Sequence, residues 1–150
     1  MEYSVDLVID LPRDRVIELF DSSENLDKWQ AGLQEFTHLE GQAGQVGAKS
    51  KMLYDMNGRQ VEMIETITHR AFPDRFAGTY EAKGVFNIVD NRFEDIDGKQ
   101  TRWTNMNVFE FTGFMKLIGF FMKSSFPKET LKQMEAFKSF AEGEGVAPNA

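Results

Sequence analysis

Six polar residues in strand-like stretches have types that could do chemistry in an apolar interior: Glu65, Tyr80, Asn87, Asn91, Asn105 and Asn107. A carboxyl taken out of water has its pKa raised and can serve as a general base, which makes Glu65 and Tyr80 a candidate acid/base pair. The alternative is structural: Glu65 paired with an arginine or hydrogen-bonded to Tyr80. The four amides also leave two readings open. They could orient a ligand's oxygen atoms inside a greasy pocket. They could equally satisfy one another as an inter-strand amide ladder, because buried polar groups need partners.

Other chemistry finds little support. His38 and His69 each fall near a strand end, and no further ligands converge on them, so no metal is expected. No Ser-His-Asp arrangement can be built from them. With no Cys there is no disulfide, thiolate nucleophile or zinc-thiolate site. The stretch Gly41 to Gly47 lacks the Lys-Ser/Thr and following helix of a phosphate cradle, so it reads as a loop. No cofactor is expected.

The 150 residues suffice for one domain with a real core, taken as 1–150. The chain holds 14 Phe and 8 Met, which suit irregular cores or greasy pockets. A net charge of −7 with no basic stripe argues against nucleic acid and against anionic membrane surfaces. No apolar run approaches the ~18 residues of a membrane span. The opening MEYSVDLVID lacks a signal peptide's basic and apolar regions. A cytoplasmic protein without stable membrane insertion, monomer or homodimer, is expected.

The elements that must position these residues are mostly strands. Tyr3 to Leu11 alternates as a half-buried strand, and Pro12 ends it and opens a short helix. Ser22 or Ser23 caps a second short helix that closes on Trp29, with Gly32 as its stop. Leu33 to Glu40 is the next strand. Asn57-Gly58 is a two-residue hairpin turn between Ala48–Met56 and Arg59–His69. It places Tyr54 opposite Val61, Met52 opposite Met63 and Ser50 opposite Glu65, and turns Tyr54, Met52, Met63 and Glu65 inward. Arg75 to Lys83, Val85 to Asp95 and Thr101 to Phe111 complete the strands. A turn at Ile96-Asp97-Gly98 pairs Asn91 with Trp103, Val89 with Asn105 and Asn87 with Asn107. It turns Trp103, Asn105, Asn107 and Phe109 inward.

Thr112 to Glu142 is the one long helical stretch. Its first stripe is Phe114, Leu117, Ile118, Phe121 and Met122. The stripe resumes at Leu131, Met134, Phe137 and Ala141. Pro127 predicts a break between Met122 and Lys128. Gly143-Glu-Gly145 ends the helix, and Val146 to Ala150 reads as a frayed tail. The segment Phe114 to Phe126 carries Lys116 and Lys123 on one side. It could touch a membrane, though two lysines are few for that; a lid over an interior cavity suits it better.

The order strand, two helices, six strands, long helix resembles the helix-grip fold of the START/Bet v 1-like superfamily (SRPBCC, polyketide cyclase/dehydrase and lipid transport). The resemblance spans Tyr3 to about Glu142. It is carried by Pro12-Arg-Asp-Arg-Val16-Ile-Glu-Leu-Phe20, Trp29, Glu65-Thr-Ile-Thr, Gly98-Lys-Gln-Thr-Arg-Trp-Thr104 and Lys132-Gln-Met-Glu-Ala-Phe-Lys138. It implies an α+β fold in which a strongly bent seven-stranded antiparallel sheet grips the C-terminal helix. It also implies a cavity for a lipid, polyketide or aromatic ligand. The expected lining is Trp29, Met52, Tyr54, Met63, Glu65, Tyr80, Asn87, Asn91, Trp103, Asn105, Asn107, Phe109, Leu117, Phe121, Met134 and Phe137. A small hydrophobic ligand is the expected partner, bound by a non-enzymatic or weakly enzymatic protein. A cyclase/dehydratase using Glu65 and Tyr80 is the first alternative, and a protein-interaction or chaperone-linked module is the second.

Overall fold

The computed structural model describes residues 1–145, so the tail at 146–150 lies outside the described residues. Strand β1 (Glu2–Ile9) leads into helix α1 (Arg13–Phe20), a 3-10 turn (Ser23–Asn25) and helix α2 (Leu26–Trp29). Strands β2 (Leu33–Glu40), β3 (Lys49–Met56), β4 (Arg59–Ala71), β5 (Arg75–Ala82), β6 (Val85–Ile96) and β7 (Gln100–Phe111) follow. Helices α3 (Met115–Phe121) and α4 (Ser125–Glu144) close the chain. The strands form one antiparallel seven-stranded sheet in the order β1-β7-β6-β5-β4-β3-β2. This is the helix-grip arrangement. No helix among the described residues is long and apolar enough to cross a membrane.

The Asn57-Gly58 turn behaves as its residue types demand. Both have positive φ, 56° and 86°, and a type I′ turn requires that of both central residues. The β3–β4 register follows: Met52 faces Met63, Tyr54 faces Val61 and Ser50 faces Glu65.

The second turn corrects the expected register. Ile96 pairs with Gln100, so the loop is Asp97-Gly98-Lys99, one residue later than predicted. Every β6–β7 pair therefore moves by two. Asn91 faces Asn105, not Trp103; Val89 faces Asn107 and Asn87 faces Phe109. A shift of two preserves the side-chain parity of a strand, so the inward faces stand.

The core lies at the end of the sheet under α1, α2 and the C-terminal half of α4. Ile9, Val16, Leu19, Trp29, Phe93, Trp103, Met134, Phe137 and Ala141 are buried together there. Met134, Phe137 and Ala141 recur at helical spacing, so α4 lays one stripe onto the sheet. Phe20 is the hub, with ring centroids 5.1 Å from Phe93, 5.7 Å from Trp103 and 5.9 Å from Phe137.

The closing helix does break, over 122–124. Pro127 itself sits within the first turn of α4, where no intrahelical partner is lost. The expected inward stripe of α3 is overturned. Phe114, Leu117, Phe121 and Met122 are exposed, and the face against the protein carries Met115, Ile118 and buried Gly119. The reason is close approach: a Cβ on Gly119 would lie 2.7 Å from the Phe111 ring. Only glycine lets α3 lie so near β7, and that contact fixes which side faces out. Gly119→Val is expected to cost about 1–3 kcal/mol by overpacking against Phe111. A melting temperature equal to wild type would show that the ring simply swings aside.

Two smaller corrections concern caps. Pro12 occupies the position before the first helical residue of α1, and neither Ser22 nor Ser23 makes a side-chain capping bond.

Candidate functional site

The concave face is set by register. One row across it runs Ser50, Glu65, Tyr80, Asn87, Phe109. The next runs Ile67, Gly78, Val89, Asn107, Tyr3, and another Phe76, Asn91, Asn105, Val5. Glu65 is the one carboxylate among these positions, and Tyr80 is its cross-strand neighbour.

Tyr80 donates its O–H to Glu65 Oε2 at 2.8 Å. Burial pushes the Glu65 carboxyl above its ordinary value, and the Tyr80 hydrogen bond only partly opposes this. Burial, then the nearby Glu65 charge, raises the Tyr80 phenol well above its own ordinary value. Tyr54 is raised too, by burial first and Glu65 second. Its hydroxyl donates to Gln30 Oε1, which ties β3 to the residue after α2. The three groups sit together, Tyr80 bonded to Glu65 and Tyr54 near enough to feel its charge.

The sign of the pH dependence follows. The folded pKa of Glu65 lies above its ordinary 4.5, so the folded chain holds this proton more tightly than the unfolded chain. Its stabilising effect is complete below about 4.5 and is lost as pH rises through the folded pKa. Glu65→Gln is therefore expected to melt higher than wild type at neutral pH and to flatten the acid-to-neutral stability slope. An unchanged slope between pH 4 and pH 8 in thermal melts would refute a desolvated Glu65.

The four amides are hydrogen-bonded to one another. Asn107 Nδ2 donates to Asn105 Oδ1, and Asn105 Nδ2 donates to Asn91 Oδ1 at 2.8 Å. Trp103 Nε1 donates to the same Asn91 oxygen at 2.9 Å. Asn87 Nδ2 reaches Asn107 Oδ1 at 3.3 Å and the Val108 carbonyl at 3.2 Å. This is an inter-strand ladder, made possible by the corrected register that sets Asn91 opposite Asn105.

The expected lining residues thus divide. Trp29, Trp103, Met134 and Phe137 are packed into the aromatic core. Asn91, Asn105 and Asn107 are buried in the ladder, and Met52 and Tyr54 are buried on β3. Met63, Glu65, Tyr80, Asn87 and Phe109 face inward and keep partial solvent access. Leu117 and Phe121 stand exposed on α3, away from the interior, for the reason given above.

Among the residues that sequence reasoning left out, Ser50 is buried opposite Glu65, and the hairpin register was the signal for it. Tyr3 stacks on Phe109 at 6.0 Å and its hydroxyl meets Thr130 Oγ1 at 2.6 Å, which ties β1 to α4. Phe126 covers Phe109 at 5.0 Å and Phe111 at 5.7 Å. Trp29 Nε1 is buried with no hydrogen-bond partner among the described residues. An orphan donor of this kind costs about 1–3 kcal/mol unless a water or ligand oxygen meets it.

Two shallow surface pockets, of about 240 and 280 Å³, lie outside the expected lining. The first lies between the α2 region and β2, with Leu26, Leu33 and Phe36 in its wall. The second lies at the β5–β6 turn beside the end of β7, with Glu81, Gly84 and Glu110 in its wall. No group of three or more His, Asp or Glu among the described residues could hold a metal ion.

By sequence, no family model matches the chain, and no curated protein matches it. By structure the likeness is extensive. Ara h 8.0201 superposes with a TM-score of 0.75 at 13% identity, over 95% of this chain and 98% of that one. The Zhui aromatase/cyclase from Streptomyces sp. R1128 gives 0.77 at 14% identity, over 100% and 98%. A START superfamily protein from Mycobacterium smegmatis gives 0.76 at 11% identity, over 95% and 97%. The chain has the START/Bet v 1-like helix-grip fold. At these identities the likeness is one of fold alone.

Proposed function

We infer that the protein binds a small apolar ligand carrying one or two polar groups, between the concave face of the sheet and α4. One observation carries this reading. Met63, Glu65, Tyr80, Asn87, Val89 and Phe109 face the helix side of central strands, yet each keeps some solvent access. In a closed core they would be as buried as Trp103 and Phe137. Helix α4 packs mainly along β1 and α2, so it leaves β4, β5 and β6 thinly covered. One helix cannot cover a bent seven-stranded sheet; here one aromatic cluster gathers around Phe137 and a second around Phe109, Phe111 and Phe126. Apolar walls around a few fixed polar groups suit a small-molecule site. Glu65 and Tyr80 supply those groups, and the START-like and Ara h 8.0201 folds support the same use.

Native mass spectrometry of the purified chain is expected to show a bound apolar species. A fluorescent fatty acid is expected to bind as a displaceable probe. Met63→Glu places a second carboxylate near Glu65 on the cleft floor and is expected to weaken the probe at least about tenfold. Equal probe affinity in this folded variant would remove the cleft as the site.

A second reading has its own observation. Tyr80 and Glu65 are 2.8 Å apart with both pKa values raised, an arrangement able to hold and return a proton during a cyclisation or dehydration. The Zhui aromatase/cyclase fold is consistent with it. Turnover of a polyketide-like substrate that disappears in both Glu65→Gln and Tyr80→Phe would favour this reading over binding alone.

A further inference from the structure

We propose that α3 is a docking element for an anionic lipid surface, contrary to the expectation drawn from the net charge and from the two lysines of this segment. The proposal stands on the outer face of α3 and does not depend on what occupies the cleft.

Phe114 is 73% exposed, Leu117 52%, Phe120 74% and Phe121 74%. Leu117, Phe120 and Phe121 stand at i, i+3 and i+4, so they form one face of the helix. The opposite face holds Met115, Ile118 and Gly119 against the protein. Single exposed apolar side chains are ordinary, but a cluster of them on one short helix marks an interaction surface.

The charge around this face says what covers it. From Phe111 to Lys128 the chain carries Lys116, Lys123 and Lys128 and no Asp or Glu, with Glu110 and Glu129 at its two borders, although its net charge is −7. All three lysines are exposed. Lysines beside exposed Phe and Leu match the headgroup and acyl layers of an anionic leaflet. Physiological salt screens the acids that lie beyond roughly 8 Å, which leaves the bordering Glu110 and Glu129 as the ones that oppose the lysines. A second copy of this acidic chain would offer the lysines no comparable field.

The position of α3 gives the docking a consequence. Met115 covers Gly84 at the β5–β6 turn, and Gly119 sits on Phe111, which pairs with Val85. Helix α3 therefore lies at the end of the concave face formed by β5, β6 and β7. A lipid surface held by Phe120 and Phe121 would meet the protein at that end.

The test is co-sedimentation of the full chain with two kinds of vesicle: phosphatidylcholine alone, and phosphatidylcholine with phosphatidylserine. Binding is expected with the second kind, weaker with the first, and falling as salt rises. Lys116→Ala and Lys123→Ala are expected to lower partitioning roughly fivefold each. Phe120→Ser with Phe121→Ser is expected to lower it at least about tenfold. These side chains are exposed, so their variants should melt as wild type does. Failure to bind either vesicle would overturn the proposal, as would undiminished binding by the Phe120→Ser/Phe121→Ser variant. So would a concentration-dependent dimer in analytical ultracentrifugation that the same variant abolishes, because the face would then belong to a second copy.

Discussion

Phe137→Ala is expected to lower the unfolding free energy by about 3–5 kcal/mol, read from the midpoint of a urea titration. Phe137 is fully buried at the centre of the aromatic core. Its ring lies edge-on to Trp29 at 5.0 Å, to Trp103 at 5.3 Å and to Phe20 at 5.9 Å. Each such pair adds about 0.5–1.5 kcal/mol beyond burial. The partners come from α1, α2 and β7, so none can move into the void without leaving its own contacts. Met134 and Ala141 would then be the only fully buried side chains of α4 among the described residues. Leu117→Ala on exposed α3 serves as the contrast and should stay within about 0.5 kcal/mol. A loss below 1 kcal/mol at Phe137 would mean that α4 is not docked by this cluster.

The legible parts of the fold were those fixed by local chemistry. Asn57-Gly58 fixed a register because both residues must adopt positive φ. The loop after β6 was harder: Asp97 and Gly98 both adopt positive φ, and sequence does not show which of Ile96 and Lys99 joins them. That one-residue difference moved Asn91 from Trp103 to Asn105 and decided how the amides pair. Helix α3 is apolar nearly all round, from Phe114 to Met122, so periodicity names no inner face. Only the position of Phe111 beneath Gly119 does so. In the site, the inward direction of Glu65 followed from the hairpin turn. The roles of Tyr3, Phe20 and Phe126 did not follow, since each depends on which distant strand lies beside it.

Asn105→Leu is expected to cost about 2–4 kcal/mol, because Asn105 is the middle rung of the amide ladder. It gives one hydrogen bond to Asn91 and takes one from Asn107. Leucine has the same number of side-chain heavy atoms in a similar branched shape but can make neither bond. Asn107 Nδ2 would be left without its acceptor in a buried position. Asn91 Oδ1 would keep the Trp103 indole at 2.9 Å, so the damage should stop there and the fold should survive. Thermal melts and the affinity of a fluorescent fatty acid, measured on the same preparation, separate the two roles of the amides. A ladder predicts a lower melting temperature with affinity changed less than about twofold. A ligand-orienting patch predicts the reverse, lost affinity at preserved stability. The short chain of bonds from Asn87 through Asn107 and Asn105 to Asn91 favours the first outcome, and leaves Glu65 and Tyr80 as the polar contacts for a ligand.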